Sequence, residues 1–499
     1  MTTGRKNPLI PESVRTAVRS WGQDHVLQYV DSAEARAEHN ISDADVAEFV
    51  AQLETVDFGR VKQLLAQAKQ DTAISGTFAP PSADEIFTLS SRTSTQNQAW
   101  WNAGLGAIRE GKVAVAILAG GQGTRMGLAP DESKGMLKLE GMLSQKFVFQ
   151  LFIERLLRLR ALTGTAKPLP LLIMTSPINN AKVTSFLESH IFFGYPPADL
   201  IVFSQGTLPA LTTTGDLLLE SHARLAISPD GNGGIYSALV SQGVMTKLEA
   251  LGVESLHVIA VDNAIARPAD PLLVGACISA GVEIGNKVVW KSDWKEKVGV
   301  IAQRDGKTSV VEYSDLFNPD LGIDNPLIRA TDNEGRLLFG AGNICNHFYS
   351  LAGLRRILPQ VTANYHLAVK KIQSVDPASN QVTKPKVNNG LKLESFIFDA
   401  FELATSSLIV EAVREQEFTP MKNPIGEDSP ESAIAQMETS HRQWLADAGA
   451  IVDKNVRIEI APEVSYSGEG LEGLRGMKFG ENLIITKEWL CAHVKVGGV

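Results

Sequence analysis

The spacing of apolar residues changes near Lys112 and separates two kinds of secondary structure. Before that point, Val46, Phe49, Val50 and Leu53 recur at helical spacing after Ser42, a residue suited to an N-cap. Val61, Leu64, Leu65 and Ala68 form a second apolar face of the same kind. The pattern predicts amphipathic helices packed on a partner surface, and therefore a mainly helical N-terminal region over residues 1–108.

Beyond Lys112 the apolar residues gather in short runs without polar alternation. Such runs indicate strands that are buried on both faces, and they cover residues 113–118, 171–174, 200–203 and 258–261. An apolar-periodic segment from Phe147 to Leu157 is long enough for a crossover helix between the first two runs. The sequence thus predicts a doubly wound α/β domain with a mainly parallel, Rossmann-like sheet over residues 109–410.

Two further patterns complete the predicted architecture. Asp305-Gly306 lies between two apolar segments and predicts a small antiparallel hairpin. After about Val410 we expect the helical content to fall, and residues 456–460 alternate as a half-exposed strand does. We therefore predict a small C-terminal α+β domain over residues 411–499.

Composition and charge narrow the class of protein. The chain has 499 residues, of which 44% are hydrophobic and 21% are charged, as expected for a folded protein of several domains. Its formal net charge of −9 disfavours nucleic acid and anionic membranes as partners. The three cysteines lie far apart, and neither a secretory signal nor an apolar run of membrane-spanning length is evident. These features predict a cytoplasmic protein.

The most informative segment is the glycine-rich stretch at residues 118–127, directly after the first buried strand. Its four glycines allow backbone N–H groups to approach a phosphate or a base, and Arg125 adds a positive charge. A dinucleotide fingerprint is disfavoured because Met126 stands where the third glycine belongs, and no Lys-Ser/Thr pair follows a glycine as a P-loop requires. The segment predicts a nucleotide-binding loop of another type.

A series of downstream motifs, together with this loop, resembles one family. The matching segments, in order, are LAGGQGTRMG at 118–127, IMTS at 173–176, SQG at 204–206, SPDGNGG at 228–234, VDN at 261–263, VEYS at 311–314, AGNICNHF at 341–348, NGLKLE at 389–394 and PMKN at 420–423. In order and spacing they resemble the eukaryotic UDP-N-acetylhexosamine pyrophosphorylases. The resemblance covers about residues 117–423 and implies a nucleotidyltransferase fold.

The resemblance implies that UTP and N-acetylglucosamine 1-phosphate react to give UDP-N-acetylglucosamine and pyrophosphate with the help of Mg²⁺ or Mn²⁺. In such a reaction a phosphate oxygen attacks the α-phosphorus in line, and this nucleophile is already ionised at neutral pH. A general base is therefore unnecessary, and the protein has to hold two polyanions together and neutralise their charge. For this reason we do not expect His347 to be catalytic.

The family's functional residues correspond to named positions here. Implied catalytic residues are Arg125, Lys134 and Lys422; UTP-binding residues are Leu118, Ala119, Gly120, Gly121, Lys134, Gln205, Gly231, Asp262 and Lys392; and sugar-binding residues are Asn232, Glu312, Tyr313, Asn343 and Lys422. Asp262, just after an apolar run, is the expected metal ligand, with Asp399 as a possible second one. A Gln amide suits a uracil edge because it offers both a donor and an acceptor.

One departure from the family pattern and two alternative functions are relevant. The path from Gly127 to Lys134 is longer than the family's and contains the acidic residues Asp131 and Glu132. A UDP-glucose or broad UDP-sugar pyrophosphorylase would share the fold, but Gln122 and the Thr124-Arg125 pair favour the hexosamine enzyme. A non-catalytic sensor of UDP-N-acetylglucosamine is the other alternative.

Overall fold

A computed structural model describes residues 7–70, 77–121, 123–318, 323–361 and 365–494. Gln122 therefore lies outside the described residues. The chain forms two compact units, which are described separately below. The larger unit comprises Gly76–Ser204, Ala238–Gln360 and Phe398–Val499, and the smaller comprises Met1–Ser75, Gln205–Ser237 and Val361–Ile397.

The larger unit is built around a long, mainly parallel sheet. Along its main path the strands follow the order Ile86–Thr88, Ser407–Ala412, Ile284–Trp290, Ala341–Ser350, Ser255–Ala260, Val113–Leu118, Leu171–Thr175 and Leu200–Ser204. Every neighbouring pair on this path is parallel except the two pairs that involve Ala341–Ser350. The predicted α/β fold with a mainly parallel sheet is confirmed.

Burial along the predicted strands follows their positions in the sheet. Val113–Leu118 and Leu171–Thr175 are buried at every residue, as expected for strands with neighbours on both sides and helices on the faces. Leu200–Ser204 ends the strand order, and only Phe203 in it is buried. The expected burial of this run on both faces is therefore wrong, since an edge strand lacks a neighbour on one side.

The helices of this unit include the predicted crossover, Val148–Thr163, between Val113–Leu118 and Leu171–Thr175. The other helical segments are Ser94–Arg109, Asn180–Ser189, Val244–Ala250, Pro271–Ala280, Tyr313–Leu316, Leu351–Val361, Arg414–Glu417, Pro430–Asp447 and Lys487–His493, and Gly234–Ser241 joins the two units in sequence. The predicted hairpin forms from Val300–Arg304 and Lys307–Val311. Asp305 and Gly306 have φ angles of 50° and 79°, which a tight hairpin turn of this kind requires.

The C-terminal part differs from the sequence-based expectation in two respects. It contains the 18-residue helix Pro430–Asp447, so the expected fall in helical content is wrong. Ile458–Ile460 is buried at all three residues and pairs in parallel with Leu483–Ile485, and is not half-exposed. Glu459 is buried because its carboxylate accepts a hydrogen bond from the backbone N–H of Ser144 at 3.1 Å.

Short strand pairs complete the larger unit. They are formed by Phe78–Ala79 with Val300–Arg304, Phe317–Asn318 with Ile323–Asp324, and Ile451–Val452 with Lys478–Phe479. The domain boundaries after residues 108 and 410 stay predictions.

The smaller unit combines helices with short antiparallel strands. Its helices are Glu12–Ser20, Ala33–Glu38, Asp43–Thr55 and Phe58–Gln70, and its strands are Thr207–Pro209, Leu211–Thr212, Leu219–Ser221, Arg224–Leu225, Ile227–Pro229, His366–Lys370, Ser374–Asp376, Gln381–Thr383 and Gly390–Glu394. Ser42 caps its helix as predicted, since its hydroxyl accepts from Asp45 N–H at 3.1 Å and the Asp45 carboxylate accepts from Ser42 N–H at 2.8 Å. Within the described ranges, no helix has the length and apolar character needed to cross a membrane.

Candidate active site

The residues implied by the family resemblance fall into two groups, one on each compact unit. Gln205, Gly231, Asn232 and Lys392 belong to the smaller unit, and the remaining candidates belong to the larger one. Each group is built by local contacts within its own unit.

The glycine loop begins at the carboxyl end of Val113–Leu118, beside the end of Ser255–Ala260. The Leu118 carbonyl accepts from Val261 N–H at 3.2 Å, so the loop and the segment that carries Asp262 leave the sheet side by side. The side-chain amide of Asn179 donates to the Ala119 carbonyl at 3.1 Å. Ligands of open α/β sheets bind at this edge, where strand carboxyl ends meet.

The extra acidic residues of the longer loop are tied to the neighbouring helix Asn180–Ser189. The Lys182 ammonium lies 3.1 Å from the Asp131 carboxylate and 3.0 Å from that of Glu132. A hydrogen bond from Ala129 N–H and the contact with Lys182 lower the pKa of Glu132. The loop is thus held at Ala129, Asp131 and Glu132, whereas Arg125, earlier in it, is exposed.

Lys134 and Asp262 are in direct contact. Lys134 Nζ lies 3.4 Å from Asp262 Oδ2 and donates to the Met421 carbonyl at 2.8 Å, while Met421 N–H donates to the Asp262 carbonyl at 2.8 Å. Lys422, the next residue, donates its backbone N–H to the Asp428 carbonyl at 2.7 Å. Lys134, Asp262 and the backbone of Met421-Lys422 are therefore brought together from three separate segments of the chain.

A buried network of ion pairs is formed by residues that follow Asp262 in the sequence and by Glu417, which precedes Met421. The Lys287 ammonium, fully buried, pairs with Asp270 and lies 3.0 Å from Glu417, and Arg267 lies 3.1 Å from the same Glu417 oxygen. The Asn263 side chain donates to the Glu417 carbonyl at 2.7 Å and accepts from Thr419 N–H at 3.1 Å. These contacts join the backbone of residues 417–419, shortly before Met421, to Asn263, the residue directly after Asp262.

The charges in this network stabilise one another. Burial alone would lower the pKa of Lys287, but the negative charges of Asp270 and Glu417 raise it on balance. Burial alone would raise the pKa of Asp270, but the positive charges of Lys287 and Arg267 lower it. Both shifts favour the charged forms of Lys287 and Asp270, which pair with each other.

The implied sugar-binding residues Glu312 and Asn343 meet around Gly299. The Gly299 carbonyl accepts from Asn343 N–H at 2.8 Å, and a Cβ at Gly299 would come 3.0 Å from Glu312 Oε1. Asn343 Oδ1 accepts from the backbone N–H of Cys345, whose φ of 52° lies at an irregularity in strand pairing. Tyr313, half-buried, directly follows Glu312 and begins the short helix Tyr313–Leu316.

His347 on the same strand is buried and receives no catalytic role. Its Nδ1 lies 2.8 Å from Asn286 Oδ1, and burial lowers its pKa to about 3. The imidazole is therefore neutral at physiological pH, in keeping with a structural function.

On the smaller unit, Gln205 and the loop 230–234 form a compact polar group. The Gln205 amide nitrogen donates to Asp230 Oδ1 at 3.3 Å and to the Gly231 carbonyl at 3.1 Å. Gly231 has a φ of 92°, and a Cβ there would come 2.2 Å from the Ser395 carbonyl oxygen, so only glycine fits. Asn232 Oδ1 accepts from Ile397 N–H at 2.9 Å.

Asp230 is buried beneath this loop. Burial raises the pKa of its carboxyl to about 6, although the hydrogen bond from Gln205 acts in the opposite direction. Lys392, on the strand Gly390–Glu394 of the same unit, has a pKa lowered by burial and by the nearby charge of Lys370.

The residues around Asp262 fit a metal ion that arrives with a nucleotide better than a protein-only metal cage. In the described part of the chain, no three His, Cys, Asp or Glu side chains converge on one point. Mg²⁺ in nucleotide sites is usually held by one or two carboxylates plus substrate phosphates, which a single Asp262 carboxylate satisfies. Asp399 lies in the short helix Ile397–Leu403, and its role as a second ligand stays a prediction.

Comparison with known proteins agrees with this arrangement. Residues 57–464 match the family model described as UTP–glucose-1-phosphate uridylyltransferase. The chain belongs to this family. It is 36% identical to the human UDP-N-acetylhexosamine pyrophosphorylase-like protein 1, covering 96% of this chain and 97% of the relative. It is 35% identical to the UDP-N-acetylglucosamine pyrophosphorylase of Saccharomyces cerevisiae, with coverage of 92% and 98%.

A solved relative has the same fold. The crystal structure of the uridine diphosphate N-acetylglucosamine pyrophosphorylase of Trypanosoma brucei, in complex with an inhibitor, superposes with a TM-score of 0.78 at 26% identity, covering 94% of this chain and 98% of that one. This chain is accordingly a uridylyltransferase-family protein along most of its length.

Sequence reasoning missed three side chains that support the candidate site of this uridylyltransferase. Lys182 and Lys287 match no motif used for the prediction, and Asp230 lies within the motif at 228–234 but was given no role. A signal existed for Lys287, because it interrupts the otherwise apolar strand Ile284–Trp290, and a lysine in such a strand requires a buried partner. No comparable signal marks Lys182, because its partner Asp131 lies 51 residues earlier in the sequence.

Proposed function

We propose that this protein is a UDP-N-acetylglucosamine pyrophosphorylase, which joins UTP to N-acetylglucosamine 1-phosphate and releases pyrophosphate. The convergence of Lys134, Asp262 and the Met421-Lys422 segment at the carboxyl edge of the sheet carries this proposal. The names of the human, yeast and trypanosomal relatives support the hexosamine substrate.

The larger unit supplies the groups that phosphoryl chemistry needs. A phosphate oxygen of the sugar substrate attacks the α-phosphorus of UTP, the new P–O bond forms, and the bond to pyrophosphate breaks. Arg125, Lys134 and Lys422 neutralise the charge that collects on the transferring and leaving oxygens. The attacking phosphate is already ionised, which agrees with the absence of a catalytic role for the neutral His347.

Asp262 would hold Mg²⁺ or Mn²⁺ against the nucleotide. When bound, such an ion withdraws charge from the phosphate oxygens and orients them for in-line displacement. Asp262 is held for this task from both sides, since its carbonyl accepts from Met421 N–H and the next residue, Asn263, is tied to Glu417 and Thr419.

The remaining candidates recognise the two organic parts of the substrates. On the smaller unit, Gln205, oriented by Asp230 and Gly231, is proposed to bind the uracil edge, and Lys392 to bind UTP phosphates. On the larger unit, the backbone of Leu118, Ala119, Gly120 and Gly121 is proposed to bind the nucleotide. Glu312, Tyr313, Asn343 and Asn232 would contact the hydroxyl and acetamido groups of the sugar.

The test is release of pyrophosphate from UTP and Mg²⁺ with N-acetylglucosamine 1-phosphate, N-acetylgalactosamine 1-phosphate or glucose 1-phosphate. We expect the wild type to release pyrophosphate with N-acetylglucosamine 1-phosphate. Asp262→Asn should abolish the dependence of the rate on Mg²⁺. The control Lys138→Met, which removes an exposed lysine of the same region, should react at nearly the wild-type rate. Release with glucose 1-phosphate alone would instead identify a UDP-glucose pyrophosphorylase. Binding of UDP-N-acetylglucosamine without release for any sugar would identify a sensor.

A further inference from the structure

The contact between Lys134 and Asp262 bears on how a divalent ion reaches Asp262, an inference that rests on the proposed function. The Lys134 ammonium touches two oxygen atoms, Asp262 Oδ2 at 3.4 Å and the Met421 carbonyl at 2.8 Å. Carboxylate and carbonyl oxygens are the ligands that Mg²⁺ and Mn²⁺ prefer. Lys134 therefore lies against one of the two Asp262 carboxylate oxygens and a neighbouring carbonyl oxygen, both of the kind that a divalent ion at Asp262 would use.

Lys134 is kept in this position by its own loop. Ser133, fully buried, accepts from Gly135 N–H at 3.3 Å and shapes the turn that carries Lys134. The preceding residues are fixed by Lys182 through Asp131 and Glu132. Because only 17% of the Lys134 side chain and 26% of the Asp262 side chain are exposed, solvent screens the pair less than it screens a surface pair.

We propose that Lys134 is the resident cation of Asp262 in the nucleotide-free protein and exchanges places with the metal when UTP binds. A divalent ion and an ammonium cannot share the same carboxylate oxygen without strong repulsion. The triphosphate resolves this conflict, because its oxygens accept the Lys134 ammonium while the ion joins Asp262. The divalent ion consequently enters together with UTP and binds the nucleotide-free protein weakly.

The experiment measures Mn²⁺ binding to the nucleotide-free protein from the electron paramagnetic resonance signal of free Mn²⁺. We expect weak binding in the wild type and about tenfold tighter binding in Lys134→Met, which removes the competing charge. Lys134→Gln, a neutral variant of different shape, should show the same gain. Lys138→Met should bind Mn²⁺ like the wild type, since it removes an exposed lysine charge without freeing Asp262.

A double variant assigns the effect to Asp262. Lys134→Met combined with Asp262→Asn should return Mn²⁺ binding to the weak wild-type level. Unchanged affinity in both single Lys134 variants, or tight binding that persists in the double variant, would overturn the proposal. Tight Mn²⁺ binding by the nucleotide-free wild type would overturn it as well.

Failure of this proposal is distinguishable from failure of the proposed function, because the Mn²⁺ titration contains neither UTP nor sugar phosphate. Pyrophosphate release by the wild type together with unchanged Mn²⁺ affinity in the Lys134 variants would refute the exchange and leave the function intact. Tenfold tighter Mn²⁺ binding in those variants, with no pyrophosphate release by the wild type, would support Lys134 as the resident cation of Asp262 and refute the proposed function.

Discussion

Replacing Lys287 by Met tests whether the buried ion network supports the active site as well as the fold. Methionine is also unbranched and only one heavy atom shorter, and it removes the charge. The network then contains one cation, Arg267, for the two carboxylates of Asp270 and Glu417. Since Glu417 holds Asn263 through its carbonyl, the segment next to Asp262 loses part of its support.

The expected loss follows from burial. Side-chain exposure is 0% for Lys287, 0% for Asp270 and 3% for Glu417. Removing one partner of so deeply buried an ion pair typically costs about 3–5 kcal/mol in the free energy of unfolding, because a carboxylate is left without its counter-ion. In the variant the Asp270 pKa should rise above its unfolded value, so the folded state binds a proton more readily. The loss of stability should therefore be smaller at pH 5.5 than at pH 7.5.

Urea denaturation at both pH values measures this effect, and kcat/KM for pyrophosphate release measures the effect on the site. Lys247→Met, at an exposed position on the helix Val244–Ala250, is the matched control and should change the free energy of unfolding by less than about 0.5 kcal/mol. Adding Asp270→Asn to Lys287→Met should recover part of the stability, because it removes the buried carboxylate that has lost its counter-ion. A loss below about 1 kcal/mol, or one independent of pH, would refute the reasoning.

Three further predictions concern single side chains. Arg125→Ala should lower kcat about 100-fold while changing the affinity for UDP-N-acetylglucosamine much less, since a group that acts on developing phosphate charge contributes mainly in the transition state. Lys182→Met should raise KM for UTP about two- to fivefold by releasing Asp131 and Glu132, with kcat nearly unchanged. Burial gives Asp230 a folded-state pKa of about 6 against an ordinary value of 3.8. Its ionisation therefore lowers the free energy of unfolding by up to about 3 kcal/mol as the pH rises through this interval. Asp230→Asn has no such group, so its stability relative to wild type should increase by that amount between pH 4 and pH 7.

Each of these predictions has a contradicting result. Equal losses of turnover and product affinity in Arg125→Ala would remove its transition-state role. A change in kcat alone for Lys182→Met would show that the loop does not position UTP. A stability difference between Asp230→Asn and wild type that is constant with pH in urea denaturation would show that Asp230 does not titrate in this range.

The sequence alone determined the elements whose physical signal is local. The capped helix after Ser42 and the Asp305-Gly306 turn depend on neighbouring residues, and the buried strand Val113–Leu118 shows its burial in an unbroken apolar run. The order and spacing of motifs likewise predicted the family, because each motif occupies a few consecutive positions. Those predictions required no knowledge of which distant segments meet.

The tertiary structure decided the features that depend on neighbours in space. Leu200–Ser204 has an apolar sequence like the central strands, but its position at the end of the strand order leaves it partly exposed. Ile458–Ile460 shows the opposite case, since Ser144 supplies the partner that allows Glu459 to be buried. The pairing of Lys134 with Asp262 joins residues 128 positions apart, and Lys287 finds Asp270 and Glu417 in other segments. Electrostatic contacts of this kind depend on distance through space, which residue types and their spacing along the chain do not specify.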